Sequence, residues 1–142
     1  MLVSSAVTPV FLFPLPRLGL FRPLILSTVI SGGLLSSTSS YKYYMVILDD
    51  YSHFLWTFPL HLKSDTFTTL NHFFAWVSTQ FRRPARALQC DNDREFDNHT
   101  SRSFFLTIGV QLRLSCPYTS AQNGRTERMI RTTTNMIRCL LF

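Results

Sequence analysis

The stretch YKYYMVILDDYSHFLWTFPL, residues 41–60, predicts two β-strands joined by a tight turn. Aromatic and β-branched residues dominate both of its ends, and these residue types are typical of strands. Between the two apolar runs lie four residues, Asp49 to Ser52, whose side chains favour turns. We therefore expect a β-hairpin over residues 41–60.

The segments that follow the hairpin alternate between helical and strand patterns. A helix is expected after Ser64, a candidate N-cap, because five apolar residues recur on one helical face: Phe67, Leu70, Phe73, Phe74 and Val77. A short buried strand is predicted at 87–90, a short helix at 101–109 and a further strand at 110–115. A last helix is expected to begin near Asn123. This order indicates an α/β fold.

The composition is that of a basic chain of at most one ordinary domain. It has 142 residues, of which 46% are hydrophobic, and a formal net charge of +6. Only Lys42 and Lys63 are lysines, so arginine supplies most of the positive charge. Arginine suits the bidentate recognition of phosphate, which makes polyanions plausible partners. A basic surface without such a partner stays open as the alternative.

Residues 1–40 differ in composition from the rest of the chain. They contain four prolines and a Gly/Ser/Thr-rich end, and residues 1–48 hold no Asp or Glu. Arginines interrupt the apolar runs, so no stretch is long enough for a transmembrane helix. We expect residues 1–40 to be a degenerate or poorly ordered N-terminal segment, with a transit peptide as the alternative.

Half of the eight acidic residues lie within seven positions of LQCDNDREFDN, residues 88–98. A calcium loop is excluded, because its sixth position holds Phe96 instead of Gly and its twelfth holds Arg102 instead of Glu. Asp91 directly follows the predicted buried strand, from which it could reach a magnesium site. A solvated turn accounts for the other three acids: Asp93, Glu95 and Asp97.

Such a magnesium site needs a further acid, and Glu127 is the downstream candidate. On a helix, Glu127 shares one face with three residues: Arg131, Thr134 and Arg138. Two interpretations of this face remain open. Glu127 and Arg131 could form a surface pair worth a few tenths of a kcal/mol. Alternatively, Glu127 could be a metal ligand flanked by phosphate-binding arginines.

Three motifs resemble the integrase core of Ty1/copia-type retrotransposon polyproteins. They are YKYYMVILDDYSHFLWTFPLHLKSD (41–65), LQCDNDREF (88–96) and LSCPYTSAQNGRTERMIRTTTNMIRCLLF (114–142). Asp91 and Glu127 are separated by 35 residues, which is the spacing of that family. The resemblance implies an RNase H-like α/β fold with a mixed five-stranded sheet flanked by helices, truncated at the C-terminus. Residues 41–142 would then be a partial integrase catalytic core domain.

The resemblance also implies a reaction and a set of partners. In the family, an Asp-Asp-Glu triad holds Mg²⁺ for phosphodiester strand transfer during DNA integration. Asp91 would be the second acid and Glu127 the third, both as catalytic residues and as metal ligands. The residues expected to approach DNA are Asn92, Asn123, Arg128, Arg131, Thr134 and Arg138. Homo-oligomers, a nuclear location and no membrane association are also implied.

One element of the family pattern is missing from this chain. A gapless alignment places Thr28, or a residue next to it, where the family has the first triad Asp, and no residue from 1 to 48 is acidic. Asp49 and Asp50 match the turn motif instead. We therefore expect an incomplete Mg²⁺ site and an integrase core fragment whose catalysis is impaired or absent. A non-catalytic nucleic-acid-binding remnant and a product that never folds stably are the alternatives.

Overall fold

The computed structural model describes residues 24–32, 41–82, 84–90 and 95–114, together with the pairs 128–129, 131–132 and 135–136. The elements of this part are β1 (Leu24–Gly32), β2 (Tyr43–Asp49), β3 (Leu55–Leu60), α1 (Asp65–Phe81), β4 (Ala85–Cys90), α2 (His99–Thr107) and β5 (Gln111–Leu114). The three C-terminal pairs are helical. Within the described residues, no helix is long and apolar enough to cross a membrane.

The five strands form one mixed sheet in the order β3-β2-β1-β4-β5. Neighbours β3, β2 and β1 are antiparallel, whereas β1 with β4 and β4 with β5 are parallel. The parallel strands β4 and β5 are joined by the α2 crossover, and α1 carries the chain from β3 to β4, the parallel neighbour of β1. The mixed five-stranded sheet flanked by helices is therefore confirmed.

The hairpin turn is held by a buried carboxylate. Asp49 is 0% exposed, and its carboxylate accepts hydrogen bonds from the backbone N–H of Ser52 at 3.0 Å and of Tyr51 at 3.4 Å. The hydroxyl of Ser52 donates to the same carboxylate. Asp49 thus stabilises the turn between β2 and β3, as the turn chemistry of the sequence predicts.

Strand β1 lies inside the segment 1–40, which the sequence led us to expect to be degenerate or poorly ordered. Residues 24–32 differ from that expectation, because they pair with β2 on one side and with β4 on the other. The side chains of Leu24, Leu26 and Thr28 are buried. Hydrogen bonds to two strands distant in sequence stabilise β1, so the composition of residues 1–40 alone could not predict it.

Helix α1 packs on the sheet through the predicted apolar stripe. Leu70, Phe73, Phe74 and Val77 are buried, and half-buried Phe67 meets Phe104 of α2 edge-on at a centroid distance of 5.2 Å. This part of the prediction is confirmed.

The N-terminus of α1 differs from the prediction in its capping chemistry. Ser64 occupies the N-cap position, but its side chain makes no capping hydrogen bond. The carboxylate of Asp65 instead accepts from the N–H of Leu62 at 3.0 Å. Ser64 has helical backbone angles, φ −61° and ψ −22°, whereas capping side chains normally project from extended backbone.

The sheet separates two groups of buried side chains. Met45 and Ile47 of β2 belong to a large core that also contains the buried stripe of α1. The second, smaller cluster consists of Tyr44, Val46, Leu48 and Leu55, with Met129 packed against it. Because side chains alternate along a strand, these two groups lie on opposite faces of the sheet. We call them the α1 face and the Met129 face.

Helix α2 and its neighbours confirm the predicted helix closed by glycine. Asn98 caps α2 by accepting from the N–H of Ser101 at 2.8 Å. Gly109 has φ +73°, a conformation that favours glycine, and lets the chain turn into β5. The strand expected at 110–115 is present as Gln111–Leu114.

Candidate functional site

The candidate site lies where β4 ends between β1 and β5. Cys90 is the last residue of β4 and is 1% exposed, with its Sγ 3.9 Å from the carbonyl oxygen of Arg113. Asp91 and Asn92 follow directly in the sequence, but they lie outside the described residues. Their catalytic and nucleic-acid-binding roles therefore stay predictions.

Strand β1 places Thr28 beside this point. Thr28 pairs with Cys90 of β4 on one side and with Ile47 of β2 on the other. The alignment places the first acid of the family at Thr28. This position is on the strand next to β4, level with Cys90, the last residue of β4. Ser27, one position earlier, pairs with Gln89 and Leu48.

The two hydroxyl residues of β1 face opposite sides of the sheet. Thr28 follows Leu26 by two positions and is flanked by Ile47 and Cys90, all three of which belong to the core under α1. It is 1% exposed, and within the described residues its hydroxyl oxygen has no hydrogen-bond partner. Thr28 is therefore a core residue of the α1 face.

Ser27 faces the other side. Its cross-strand neighbour Leu48 belongs to the cluster against which Met129 packs, and Ser27 itself is 7% exposed. Glu127, two residues before Met129, lies outside the described residues. The β1 position that shares a face with Met129 is thus Ser27, one residue before the Thr28 given by gapless alignment. A shift of one residue reverses the face of a strand side chain, so alignment by counting could not decide between them.

The C-terminal helical residues present two of the expected DNA-contacting side chains. Arg128 and Arg131 are both exposed, while Met129 is half-buried against the sheet. Exposed guanidinium groups suit the recognition of a polyanion. Four further predicted site residues lie outside the described part: Asn123, Glu127, Thr134 and Arg138.

Two of the clustered acidic residues make contacts beside α2, Asp97 through its carboxylate and Glu95 through its backbone. The carboxylate of Asp97 pairs with the guanidinium of Arg102, which donates from Nε at 2.7 Å. The backbone carbonyl of Glu95 accepts from the side chains of Asn98 at 3.0 Å and Ser101 at 3.3 Å. These contacts fit the turn interpretation of Glu95 and Asp97.

The residues available on β1 do not fit the three-carboxylate Mg²⁺ site that the family resemblance implies. Hard divalent cations prefer charged oxygen ligands, and β1 offers only the neutral hydroxyls of Ser27 and Thr28 next to the end of β4. The Thr28 hydroxyl is buried on the face opposite to Met129. In the described part, no group of three His, Cys, Asp or Glu side chains could hold a metal ion.

Sequence comparison identifies a family and two relatives. The family described as Integrase core domain matches residues 30–120. The Retrovirus-related Pol polyprotein from transposon TNT 1-94 of Nicotiana tabacum is 29% identical over 118 residues, which are 83% of this chain and 9% of that protein. The corresponding polyprotein from transposon RE2 of Arabidopsis thaliana is 32% identical over 104 residues, 73% of this chain and 7% of the relative. The chain thus spans less than a tenth of either relative.

Structural comparison supports the same fold. A chain in the cryo-EM structure of the simian T-cell lymphotropic virus intasome in complex with PP2A regulatory subunit B56 gamma superposes with a TM-score of 0.64 at 18% identity. The superposition covers 95% of this chain and 46% of the other. The expected RNase H-like fold is therefore confirmed.

Proposed function

This chain belongs to the integrase core domain family, and we propose that it is a Pol-derived core fragment that binds DNA but has lost strand transfer. The family match and the two Pol relatives support its origin in a Ty1/copia-type retrotransposon.

The loss of strand transfer is supported by one observation: β1 has no acidic residue beside the end of β4. Two neutral hydroxyl residues, Ser27 and Thr28, stand beside the end of β4, and neither can contribute negative charge to a cation site. In the family, Mg²⁺ supplies charge stabilisation to the oxygens that enter and leave the phosphodiester. Asp91 and Glu127 alone would balance the positive charge of bound Mg²⁺ poorly.

A strand-transfer assay tests this part of the proposal. The full chain is incubated with a labelled donor DNA end and target DNA in Mg²⁺, and both joined products and 3′-processed ends are measured. We expect neither product. Asp91→Asn is the matched variant, because it changes the predicted second acid with little change in volume. Robust activity of the unmodified chain that Asp91→Asn abolishes would overturn the proposal.

The binding part of the proposal is supported by the exposed Arg128 and Arg131 of the C-terminal helical residues. Paired with a net charge of +6, they favour the second candidate function, a nucleic-acid-binding remnant without catalysis. Both candidates predict DNA binding and no strand-transfer product. Homo-oligomerisation and a nuclear location are further expectations from the family, which size measurements with DNA and localisation of a tagged chain would test.

A further inference from the structure

A pair of stacked rings joins the open ends of the hairpin at one edge of the sheet. The rings of Tyr41 and His61 have centroids 4.2 Å apart and an interplanar angle of 22°. Tyr41 is 37% exposed and His61 is exposed as well. The backbone N–H of Lys42 donates to the carbonyl of Leu60 at 3.1 Å, which fixes the chain beside the ring pair.

Both lysines of the chain lie at this same place. Lys42 immediately precedes β2, Lys63 follows β3 by three residues, and both are exposed. The turn around Lys63 is held by two backbone hydrogen bonds of 3.1 Å, from Asp65 to Leu62 and from Thr66 to Lys63. We call Tyr41, Lys42, His61 and Lys63 the lysine edge.

Charge is distributed unequally between the two ends of the hairpin. Asp49 and Asp50 lie at the turn end, and the lysines lie at the open end. Asp65 is the acid next to the lysine edge in sequence, and its carboxylate accepts from the N–H of Leu62. The lysine edge therefore combines two ammonium groups with a stacked aromatic pair. Proteins that bind single-stranded nucleic acid use such cations to contact phosphates and such rings to stack on bases.

Strand pairing places the lysine edge at the same end of the sheet as the C-terminal end of β4. Ile47 is level with Thr28 and Cys90, whereas Tyr43 is level with Gly32 at the end of β1. Lys42 is five residues from Ile47 along β2, roughly 17 Å at about 3.3 Å per residue. A nucleic-acid strand that passes the C-terminal end of β4 could therefore reach the lysine edge.

We propose that the lysine edge binds single-stranded nucleic acid. Lys42 and Lys63 contact phosphates, and the Tyr41–His61 pair offers a ring face to a base. The inference rests on the proposed function for its choice of nucleic acid as the polyanion. It does not depend on catalysis, and its contacts are separate from the C-terminal arginines.

Fluorescence anisotropy with a labelled 15-nucleotide oligothymidine tests the proposal over a series of salt concentrations without Mg²⁺. The double variant Lys42→Gln/Lys63→Gln should flatten the slope of log K against log salt by about 1.4, since each lost phosphate contact on a single strand removes about 0.7. Tyr41→Leu should weaken oligothymidine binding at least about five-fold. With a duplex of equal length, the same variant should change affinity less than about two-fold, because the bases of a duplex are not free to stack on a protein ring.

One control variant separates the lysine edge from general charge. Arg82→Gln/Arg86→Gln removes the same formal charge from two exposed positions outside the lysine edge and should leave the slope unchanged. Equal flattening by both double variants, or equal weakening of duplex and single strand by Tyr41→Leu, would overturn the proposal. If variants of the C-terminal arginines weaken binding and those of the lysine edge do not, this inference fails while the proposed function stands. If the unmodified chain binds neither probe, both fail.

Discussion

The substitution that alignment suggests for restoring the missing acid, Thr28→Asp, is one that this fold should tolerate poorly. Thr28 is 1% exposed and lies between Ile47 and Cys90 on the α1 face. An unpaired carboxylate there would lose its hydration without gaining a cation. The effective penalty for one buried ion is several kcal/mol, and a domain has about 5–15 kcal/mol of stability in total.

We expect Thr28→Asp to lower the free energy of unfolding by about 3 kcal/mol or more. The companion variant Thr28→Val should act in the opposite direction, because the Thr28 hydroxyl is buried and, within the described residues, has no hydrogen-bond partner. Removing it should raise the stability by about 1 kcal/mol. Thr28→Asn has nearly the volume of Asp without its charge and should fall between the other two.

Urea unfolding followed by tryptophan fluorescence measures all three variants, since Trp56 is 1% exposed in the core. With a slope near 2 kcal/mol/M, a change of 1 kcal/mol moves the midpoint by about 0.5 M. If Thr28→Asp does not fold at all, Thr28→Val still gives a measurable midpoint. A Thr28→Asp midpoint equal to that of the unmodified chain would show that Thr28 does not face the core. A lower midpoint for Thr28→Val would show that the buried hydroxyl makes a stabilising hydrogen bond.

Three further predictions concern the C-terminal helix, the hairpin turn and the core. Arg131→Ala with Arg138→Ala should flatten the slope of log K against log salt for duplex DNA by about two, measured by anisotropy, and an unchanged slope would mean that neither contacts phosphate. Asp49→Ala should destabilise the fold by about 2 kcal/mol in urea unfolding, because it removes the acceptor of the Ser52 hydrogen bonds, and a loss below about 0.5 kcal/mol would contradict that role. Phe73→Ala should cost about 3–5 kcal/mol in the same assay, because Phe73 is 3% exposed among aromatic neighbours, and a loss under about 1 kcal/mol would place it outside the core.

The elements between Tyr41 and Leu114 could be predicted because their information is local. The apolar residues of α1 repeat at helical spacing. Gly109 follows α2 with a positive φ, a conformation that its residue type favours. The hairpin was equally predictable, because its turn residues stabilise the turn through their own side chains.

Strand β1 and its polar residues could not be predicted in this way. Its identity depends on pairing with Tyr43–Asp49 and with Ala85–Cys90, which lie at least ten residues away in the sequence. The alignment located β1 beside the predicted site, but it could not decide whether Ser27 or Thr28 shares a face with Met129. That choice depends on register, which the cross-strand partners determine.

The central place of β1 has a consequence for how the chain folds. The hairpin β2–β3 can form from contacts close in sequence, and β4 with β5 needs only the short α2 crossover between them. These two halves of the sheet join only when β1 inserts between them, and its pairing of Thr28 with Cys90 closes a loop of about sixty residues. Closing such a loop is entropically unfavourable and slows folding. We therefore expect β1 insertion to be the late, rate-limiting step, and substitutions in β1 to slow folding more than equally destabilising ones in the hairpin turn.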